Sequence, residues 1–290
     1  MEAILIGLIP AFLWGIQPVV MQILGGKPGN QLMGMVMGTL LLAIIVAVFR
    51  PPVEWTTSLI VASFVCGVVW SVAQFGQVSS FPLIGVSRAF PISTGLQLLG
   101  TSLVGIFYFH EWNTTTKLVL GLSAIVIIII GVMLTAYQEK QGNETRHHVD
   151  MKKGIFILII SSAFFIIWVS IPRIANLNGW DVVLPQAIGA FLGTFFICLT
   201  RKDVKIWAVS SFKNIATGFV FFVANLAMMI SNQMNGIAVG FTLTQMCVIV
   251  AGIGGILILK ERKTRKELIY LLTGLFLVAF GGVLIGITKL

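Results

Sequence analysis

The chain has 290 residues, of which 57% are hydrophobic and only 10% are charged. A composition this apolar excludes a soluble globular domain and is typical of a protein that crosses the membrane many times. The net charge of +9 is therefore read as a signal of membrane topology, and no nucleic-acid partner is expected.

Ten apolar segments follow in chain order, each near the length of about 20 residues that a helix needs to cross the bilayer. The first five lie at roughly 3–24, 32–49, 57–79, 83–108 and 116–137. The other five lie at roughly 154–174, 182–199, 212–231, 237–259 and 268–288. Because these segments are continuously apolar rather than alternating, a β-barrel is excluded. The sequence therefore predicts an all-α membrane protein with ten transmembrane helices.

A repeated pattern divides the chain into two halves. Residues of the third span recur 151 positions later in the eighth, since position 67 corresponds to position 218. The two copies are Gly67, Trp70, Gln74 and Gln77, and Gly218, Phe221, Asn225 and Met228. Each half has five spans, an odd number, so the second half enters the membrane in the opposite sense. We predict two inverted five-helix repeats, at 1–137 and 154–290, joined by a cytoplasmic linker at 138–153.

The basic residues predict the orientation of these spans. If the N-terminus lies outside, the loops on the inner side hold 14 Lys and Arg residues and the outer side holds four. Positively charged loops stay on the cytoplasmic side of a membrane. Both termini are therefore predicted to lie outside.

Polar and tryptophan side chains inside the spans are the candidate substrate-binding residues. They are Trp14, Gln17, Trp70, Gln74, Gln77, Thr94, Gln97, Trp168, Gln186, Asn225, Thr242 and Gln245. A polar group in hydrocarbon costs several kcal/mol unless it is paired or faces a cavity, so the set favours a shared water-filled pathway. Hydrogen bonding between helices remains the alternative for the polar groups, and an interfacial position remains the alternative for the tryptophans.

Charged residues are almost absent from the span interiors. Arg88 lies within a span, whereas every Asp and Glu lies in a loop, at a terminus or at a span end. The candidate gating or coupling residues are Arg88, Glu111, Glu261, Pro18, Pro91 and Pro172. An intramembrane charge and paired prolines are typical of transport sites and hinges, while a solvated position is the alternative for each Glu. Without a membrane carboxylate to hold a cation, a neutral, hydroxyl-rich substrate is expected.

No catalytic or metal site is predicted. The span interiors lack the His, Asp and Glu needed for a nucleophile–base pair, and the three cysteines are dispersed. We therefore expect a transporter rather than an enzyme, with no metal and no cofactor. Import and export of a neutral metabolite both remain open at this point.

Four stretches carry a family resemblance. They are Gly-Gly-Lys-Pro-Gly-Asn-Gln (25–31), Ser-Arg-Ala-Phe-Pro-Ile-Ser-Thr-Gly-Leu-Gln-Leu-Leu-Gly (87–100), Leu-Pro-Gln-Ala-Ile-Gly (184–189) and Asn-Gly-Ile-Ala-Val-Gly-Phe-Thr-Leu-Thr-Gln (235–245). The chain resembles the glucose/ribose porter family of bacterial sugar uptake proteins, within the drug/metabolite transporter superfamily. The resemblance implies ten helices, a bacterial plasma membrane, and import of a monosaccharide, chiefly glucose with ribose as the alternative, coupled to protons.

One partner prediction concerns the chain itself. The fifth and tenth spans hold almost no polar residues, and Gly282 and Gly286 form a small-x-x-x-small pair in the tenth. Such pairs bring helices into close contact. The pair predicts either a homodimer through spans 5 and 10 or close packing within one chain.

Overall fold

A computed structural model describes residues 2–50, 53–108, 114–137, 139, 150–177, 179–202, 204–244 and 246–288. Within these ranges the secondary structure is helical throughout, with no strand. The helices are α1 Glu2–Leu24, α2 Pro28–Phe49, α3 Thr57–Ile84, α4 Val86–Phe107, α5 Thr115–Thr135, α6 Met151–Ile174, α7 Gly179–Leu199, α8 Val209–Lys213, α9 Ile215–Thr244, α10 Cys247–Leu257 and α11 Arg265–Thr288.

Eight of the described helices are long and apolar enough to cross a membrane, namely α1, α2, α3, α5, α6, α7, α9 and α11. Helix α10 is apolar but has only 11 residues. Helix α4 has 22 residues and carries the polar stripe of the fourth predicted span. The all-helical membrane architecture is confirmed, while the count of ten spans and their inverted repeat stay predictions.

The helix boundaries differ from the predicted spans in one region. The sequence predicted a break between spans at 212–231 and 237–259, but α9 runs unbroken from Ile215 to Thr244. The polar run at 232–236 contains no proline, so nothing in the backbone prevents helical hydrogen bonding through it. The following helix, α10, begins only at Cys247.

Helix packing follows a reciprocal scheme. Helix α3 lies against α6 and α7, while α1 lies against α9 and α10. Helix α2 contacts both α7 and α9, and α4 contacts both α6 and α10. Helices α5 and α11 pack chiefly on each other. The main apolar core therefore lies among α1–α4, α6, α7, α9 and α10, with the α5–α11 pair beside it.

Glycines set the distance between the central helices. A β-carbon on Gly67 would overlap the carbonyl oxygen of Gln186 in α7, and one on Gly218 would overlap that of Met35 in α2. Only glycine permits this approach of one helix backbone to another. Positions 67 and 218 are the same position of the repeated pattern, so each half uses its glycine in the same way.

The α5–α11 pair is also built on glycines. A β-carbon on Gly131 would lie 2.9 Å from the carbonyl oxygen of Gly274, and one on Gly274 would lie 2.6 Å from that of Gly131. Gly282 is buried within the chain. The outward rows of both helices, which include Met133 and Phe276, are exposed and apolar. Helices α5 and α11 thus pack closely on each other within one chain, and the homodimer stays a prediction.

Candidate functional site

A pocket, which we call the central pocket, lies between α2, α3, α7 and α9, near the two glycine contacts that join these helices. Its polar lining consists of Thr39, Gln186 and Asn225, and its aromatic lining includes Trp70 and Phe221. None of the described lining residues is charged. The free volume is only about 30 Å³ in this conformation, which is room for one or two water molecules. A larger solute therefore enters only if the helices separate.

An aromatic wall forms one side of this pocket. The ring of Phe221 lies 4.9 Å from that of Trp70 and 6.2 Å from that of Trp14, measured between centroids. Two predicted residues, Trp14 and Trp70, are thus brought together by a third that was not predicted. A signal for Phe221 did exist, because it occupies the position of Trp70 in the repeated pattern.

Three of the predicted site residues carry a buried polar atom that has no hydrogen-bond partner among the described residues. They are Oδ1 of Asn225 and the indole nitrogens of Trp14 and Trp168. A buried polar atom without a partner costs about 1–3 kcal/mol, so such atoms mark places that a ligand or water fills. Trp168 stands in α6 with its ring edge toward Phe165, at 6.1 Å.

A hydrogen-bonded amide cluster joins α3 to α4. The side-chain amides of Gln77 and Gln97 both donate to Oγ of Ser93, at 2.8 and 3.0 Å. Gln74 is buried one turn from Trp70 on the same face of α3, and Thr94 is buried beside Ser93. The Gln77 bond therefore crosses from α3 to α4, whereas the Gln97 bond lies within α4, and the predicted substrate-binding roles of both residues stay predictions. Ser93, which holds them together, was not predicted.

The remaining predicted site residues are placed as follows. Gln17 is buried between α1 and α2, with its amide nitrogen 3.0 Å from the sulfur of Met35, away from the pocket lining. Thr242 belongs to α9, but its side chain lies outside the described part of the chain, as do residues Gln245 and Glu111. Their predicted roles stay predictions.

The three predicted hinge prolines all lie inside helices. Pro18 stands in α1, Pro91 in α4 and Pro172 in α6. Each removes one backbone donor from its helix and so leaves a carbonyl without its usual partner. The helices continue past all three residues, and their role as hinges stays a prediction.

A cluster of charged residues, which we call the inner cluster, ties the start of α4 to the segment between α10 and α11. Oε1 of Glu261 accepts a hydrogen bond from the backbone N–H of Ser87 at 3.2 Å, and Oε2 accepts one from the Ser87 hydroxyl. Lys263 Nζ lies 3.5 Å from Glu261 Oε2. Gly85 has φ +83°, and a β-carbon there would lie 2.6 Å from Glu261 Oε2. Glycine is required at this position for both reasons.

A buried ion pair completes the inner cluster. Arg88 Nη2 lies 3.1 Å from Oε1 of Glu267, and the two side chains are only 6% and 2% exposed. Arg88 also donates to the carbonyl of Tyr137 at 3.4 Å, and Glu267 accepts from the backbone N–H of Thr264 at 3.0 Å. Glu261 binds Ser87 and Lys263, and its predicted gating or coupling role stays a prediction. Glu267 was not predicted at all.

Burial changes the proton affinity of the lysine in this cluster. Desolvation, with a smaller contribution from the Arg88 charge, lowers the pKa of Lys263 to about 8, while Glu261 and Glu267 oppose the change. The inner cluster thus holds two ion pairs, Arg88 with Glu267 and Lys263 with Glu261, and both carboxylates also accept hydrogen bonds. Among the described residues no group of His, Cys, Asp and Glu could hold a metal ion.

These features define a class of protein: a multi-pass helical membrane protein with an uncharged, aromatic pocket at its centre and a charged cluster at one end. Comparison with known proteins then gives the family. Residues 5–288 match the family model described as "Sugar transport protein". The chain belongs to this family, whose description is that of a transport protein rather than an enzyme.

Relatives align along nearly the whole chain. A protein of Listeria monocytogenes named "Putative sugar uptake protein lmo0169" is 46% identical over 286 residues, 99% of each chain. A "Probable glucose uptake protein GlcU" of Bacillus cereus is 38% identical over 99% of each chain. The "Glucose uptake protein GlcU" of Bacillus subtilis is 36% identical over 99% of this chain and 98% of its own. One solved structure shares the fold, with a TM-score of 0.65 and 13% identity over 98% of both chains.

Proposed function

We propose that this protein imports a neutral monosaccharide, glucose before ribose, by alternating access. The observation that carries the proposal is the central pocket, in which an aromatic wall stands beside the unpartnered Oδ1 of Asn225. Indole faces cover the C–H surfaces of a sugar, and amides exchange hydrogen bonds with its hydroxyls. The names of the relatives support glucose as the substrate.

In this proposal the pocket is the closed form of the sugar site. Trp70, Gln186 and Asn225 line it directly, and Trp14 reaches it through Phe221. Because the free volume holds only water, binding requires α2 and α9 to move relative to α3 and α7. The glycine contacts at Gly67 and Gly218 hold α3 against α7 and α9 against α2, so each of these pairs would move as one unit.

The architecture we propose is ten spans in two inverted five-helix repeats. The reciprocal packing supports it: α1 on α9 has its counterpart in α6 on α3, and α1 on α10 has its counterpart in α6 on α4. The matched roles of Gly67 and Gly218 support it as well. The count of basic residues supports outward termini in a plasma membrane, with the linker at 138–153 inside.

The inner cluster is our candidate for the inner gate and for proton coupling. It joins Ser87 and Arg88 of the first half to Glu261 and Glu267 of the second, so opening the inner side separates these pairs. A proton on either carboxylate would weaken its bond to the cation and favour opening. This places coupling at the membrane end rather than in the uncharged pocket.

The test is uptake of radiolabelled glucose into proteoliposomes that contain the purified protein, with and without an inward proton gradient. We expect saturable uptake that unlabelled glucose inhibits, and accumulation above equilibrium when the gradient is imposed. Equilibration that ignores the gradient would support a facilitator and contradict the coupling. Stronger inhibition of uptake by ribose than by unlabelled glucose would support a ribose carrier. Release of label from preloaded vesicles without uptake would support an exporter. Protein-free liposomes give the background.

A further inference from the structure

A second cavity, which we call the basic pocket, lies at the end of the protein where α3 ends and α6 begins, which is the inner side in the topology proposed above. It has a volume of about 240 Å³. It is formed by the α1–α2 connection, the last turns of α3, the first turns of α6 and the segment after α7. Its polar lining is Lys27, Ser79, Lys153 and Arg201. It is separate from the central pocket, with which it shares no lining residue.

The charge of the basic pocket is positive. None of its described lining residues is acidic. Asp150 immediately precedes α6, and its carboxylate accepts a hydrogen bond from the backbone N–H of Lys153 at 3.1 Å. Asp203 lies outside the described residues. Because Lys27 already contacts another group, the positive charge that faces this cavity comes chiefly from Lys153 and Arg201.

The floor of the same cavity is apolar. The guanidinium of Arg201 lies 5.1 Å from the ring centroid of Phe75, and Leu83, Ile157 and Val204 line the remaining surface. A cavity with a cationic rim and an apolar floor matches a ligand that carries an anionic head and a hydrocarbon body. An uncharged sugar could accept hydrogen bonds from such a rim but could not form an ion pair with it.

We propose that the basic pocket binds the phosphate of an anionic ligand, and that this ligand is the headgroup of an anionic phospholipid. Basic pockets between membrane helices on the cytoplasmic side are suited to such headgroups. The apolar floor favours a lipid over a soluble phosphate compound. This inference goes beyond sugar transport, because the basic pocket shares no lining residue with the central pocket.

Native mass spectrometry of the full chain in a nonionic detergent tests the inference. We expect one molecule of phosphatidylglycerol to stay bound at concentrations at which phosphatidylcholine does not. The double variant Lys153→Gln/Arg201→Gln is expected to weaken this binding by about 25-fold, at about fivefold per basic residue. The matched control is Lys152→Gln/Lys202→Gln, which removes the same charge from neighbouring exposed residues outside the lining.

The remaining arms make each result decisive. Arg201→Lys keeps the charge and is expected to retain most of the binding, which separates charge from folding. Equal weakening in both double variants, or equal retention of phosphatidylcholine, would overturn the site. Displacement of the lipid by 1 mM inorganic phosphate or glucose 6-phosphate would support a phosphate site and overturn the lipid as its source. Glucose uptake is a separate readout, so failure here leaves the transport proposal intact.

Discussion

The central pocket and the inner cluster treat buried polar groups in opposite ways. In the pocket, Oδ1 of Asn225 has no partner among the described residues, and no charge lies nearby. In the inner cluster, Glu261 and Glu267 each bind a cation and a backbone N–H. Both regions lie where the two halves of the chain meet.

This difference suits the pocket to binding a ligand and the cluster to fixing the arrangement of the helices. An unpartnered polar atom costs stability until a ligand completes its hydrogen bonds. A fully paired charge cluster fixes one arrangement of helices and resists change until a proton or a movement breaks it. We therefore propose that the pocket recognises the substrate and that the cluster controls access to it.

The largest effect on stability is expected from Arg88→Gln. The substitution leaves the carboxylate of Glu267 buried without its cation, and removing one partner of a buried pair costs about 3–5 kcal/mol. Thermal unfolding of the purified protein, followed by tryptophan fluorescence, measures the loss. The double variant Arg88→Gln/Glu267→Gln should recover much of it.

An exposed ion pair provides the control for that experiment. Arg50 Nη1 lies 3.6 Å from Oδ1 of Asp181, with side chains 32% and 25% exposed. Pairs of this kind contribute about 0–1 kcal/mol. If Arg50→Gln lowers the unfolding temperature as much as Arg88→Gln does, the inner cluster has no special role in holding the helices.

The largest effect on transport is expected from Asn225→Leu. The variant removes an unpartnered acceptor, so its stability should be unchanged or higher, while its glucose uptake should fall at least tenfold because about 1.4 kcal/mol of binding is lost. Initial rates in proteoliposomes and unfolding temperatures are measured together.

Asn214→Leu is the matched control in the same helix region. The Asn214 side chain is buried and donates to the carbonyls of Gly25 and Ser210 at 3.1 and 2.8 Å, although its Oδ1, like that of Asn225, has no partner among the described residues. Its loss should lower stability by about 1–3 kcal/mol. If Asn225→Leu lowers the unfolding temperature as much as Asn214→Leu does, Asn225 is a structural residue like Asn214.

A smaller effect is expected from Trp70→Phe. The smaller ring keeps the contact with Phe221 but covers less of a sugar face, so KM should rise about fivefold, the equivalent of about 1 kcal/mol. The control is Trp55→Phe, because Trp55 is half exposed and outside the pocket. An equal rise in KM for both variants would show that the effect is not specific to the pocket residue Trp70.

A further effect is the pH dependence that Lys263 imposes. Its pKa is lowered to about 8, so between pH 8 and 10 the unfolded chain binds more protons at this residue than the folded chain does. By linkage, folding stability gains as pH rises through this window. The unfolding temperature of the native protein should therefore rise relative to that of Lys263→Met. A difference that stays constant with pH would contradict the buried position of the lysine.

The helices could be predicted from the length of the apolar segments, since the bilayer imposes that length on any span. Sequence reasoning placed a break at 232–236, where polar residues suggested a loop, because polarity alone does not end a helix that lacks proline. Trp70, Gln186 and Asn225 were also predictable, since each is a polar or aromatic group in an apolar span. Which of the amides would face a cavity depended on packing that spacing does not encode.

The inner cluster shows where local reasoning stops. Arg88 was predicted because a charge inside a span is rare, but its partner Glu267 stands among basic residues at the start of α11. Nothing near Glu267 in the sequence marks it as buried. Its burial follows from the position of α4 beside the α10–α11 segment, which is a property of the assembled fold.

The most direct test of the central site is cysteine labelling at Ala187, which lines the pocket without a polar group of its own. The native cysteines at 66, 198 and 247 are buried and provide the background. In membranes that contain Ala187→Cys, we expect a small methanethiosulfonate reagent to modify the new thiol, and D-glucose but not L-glucose to slow the reaction. Labelling that saturating D-glucose leaves unchanged, in a variant that still transports glucose, would contradict the assignment of the sugar site to this pocket.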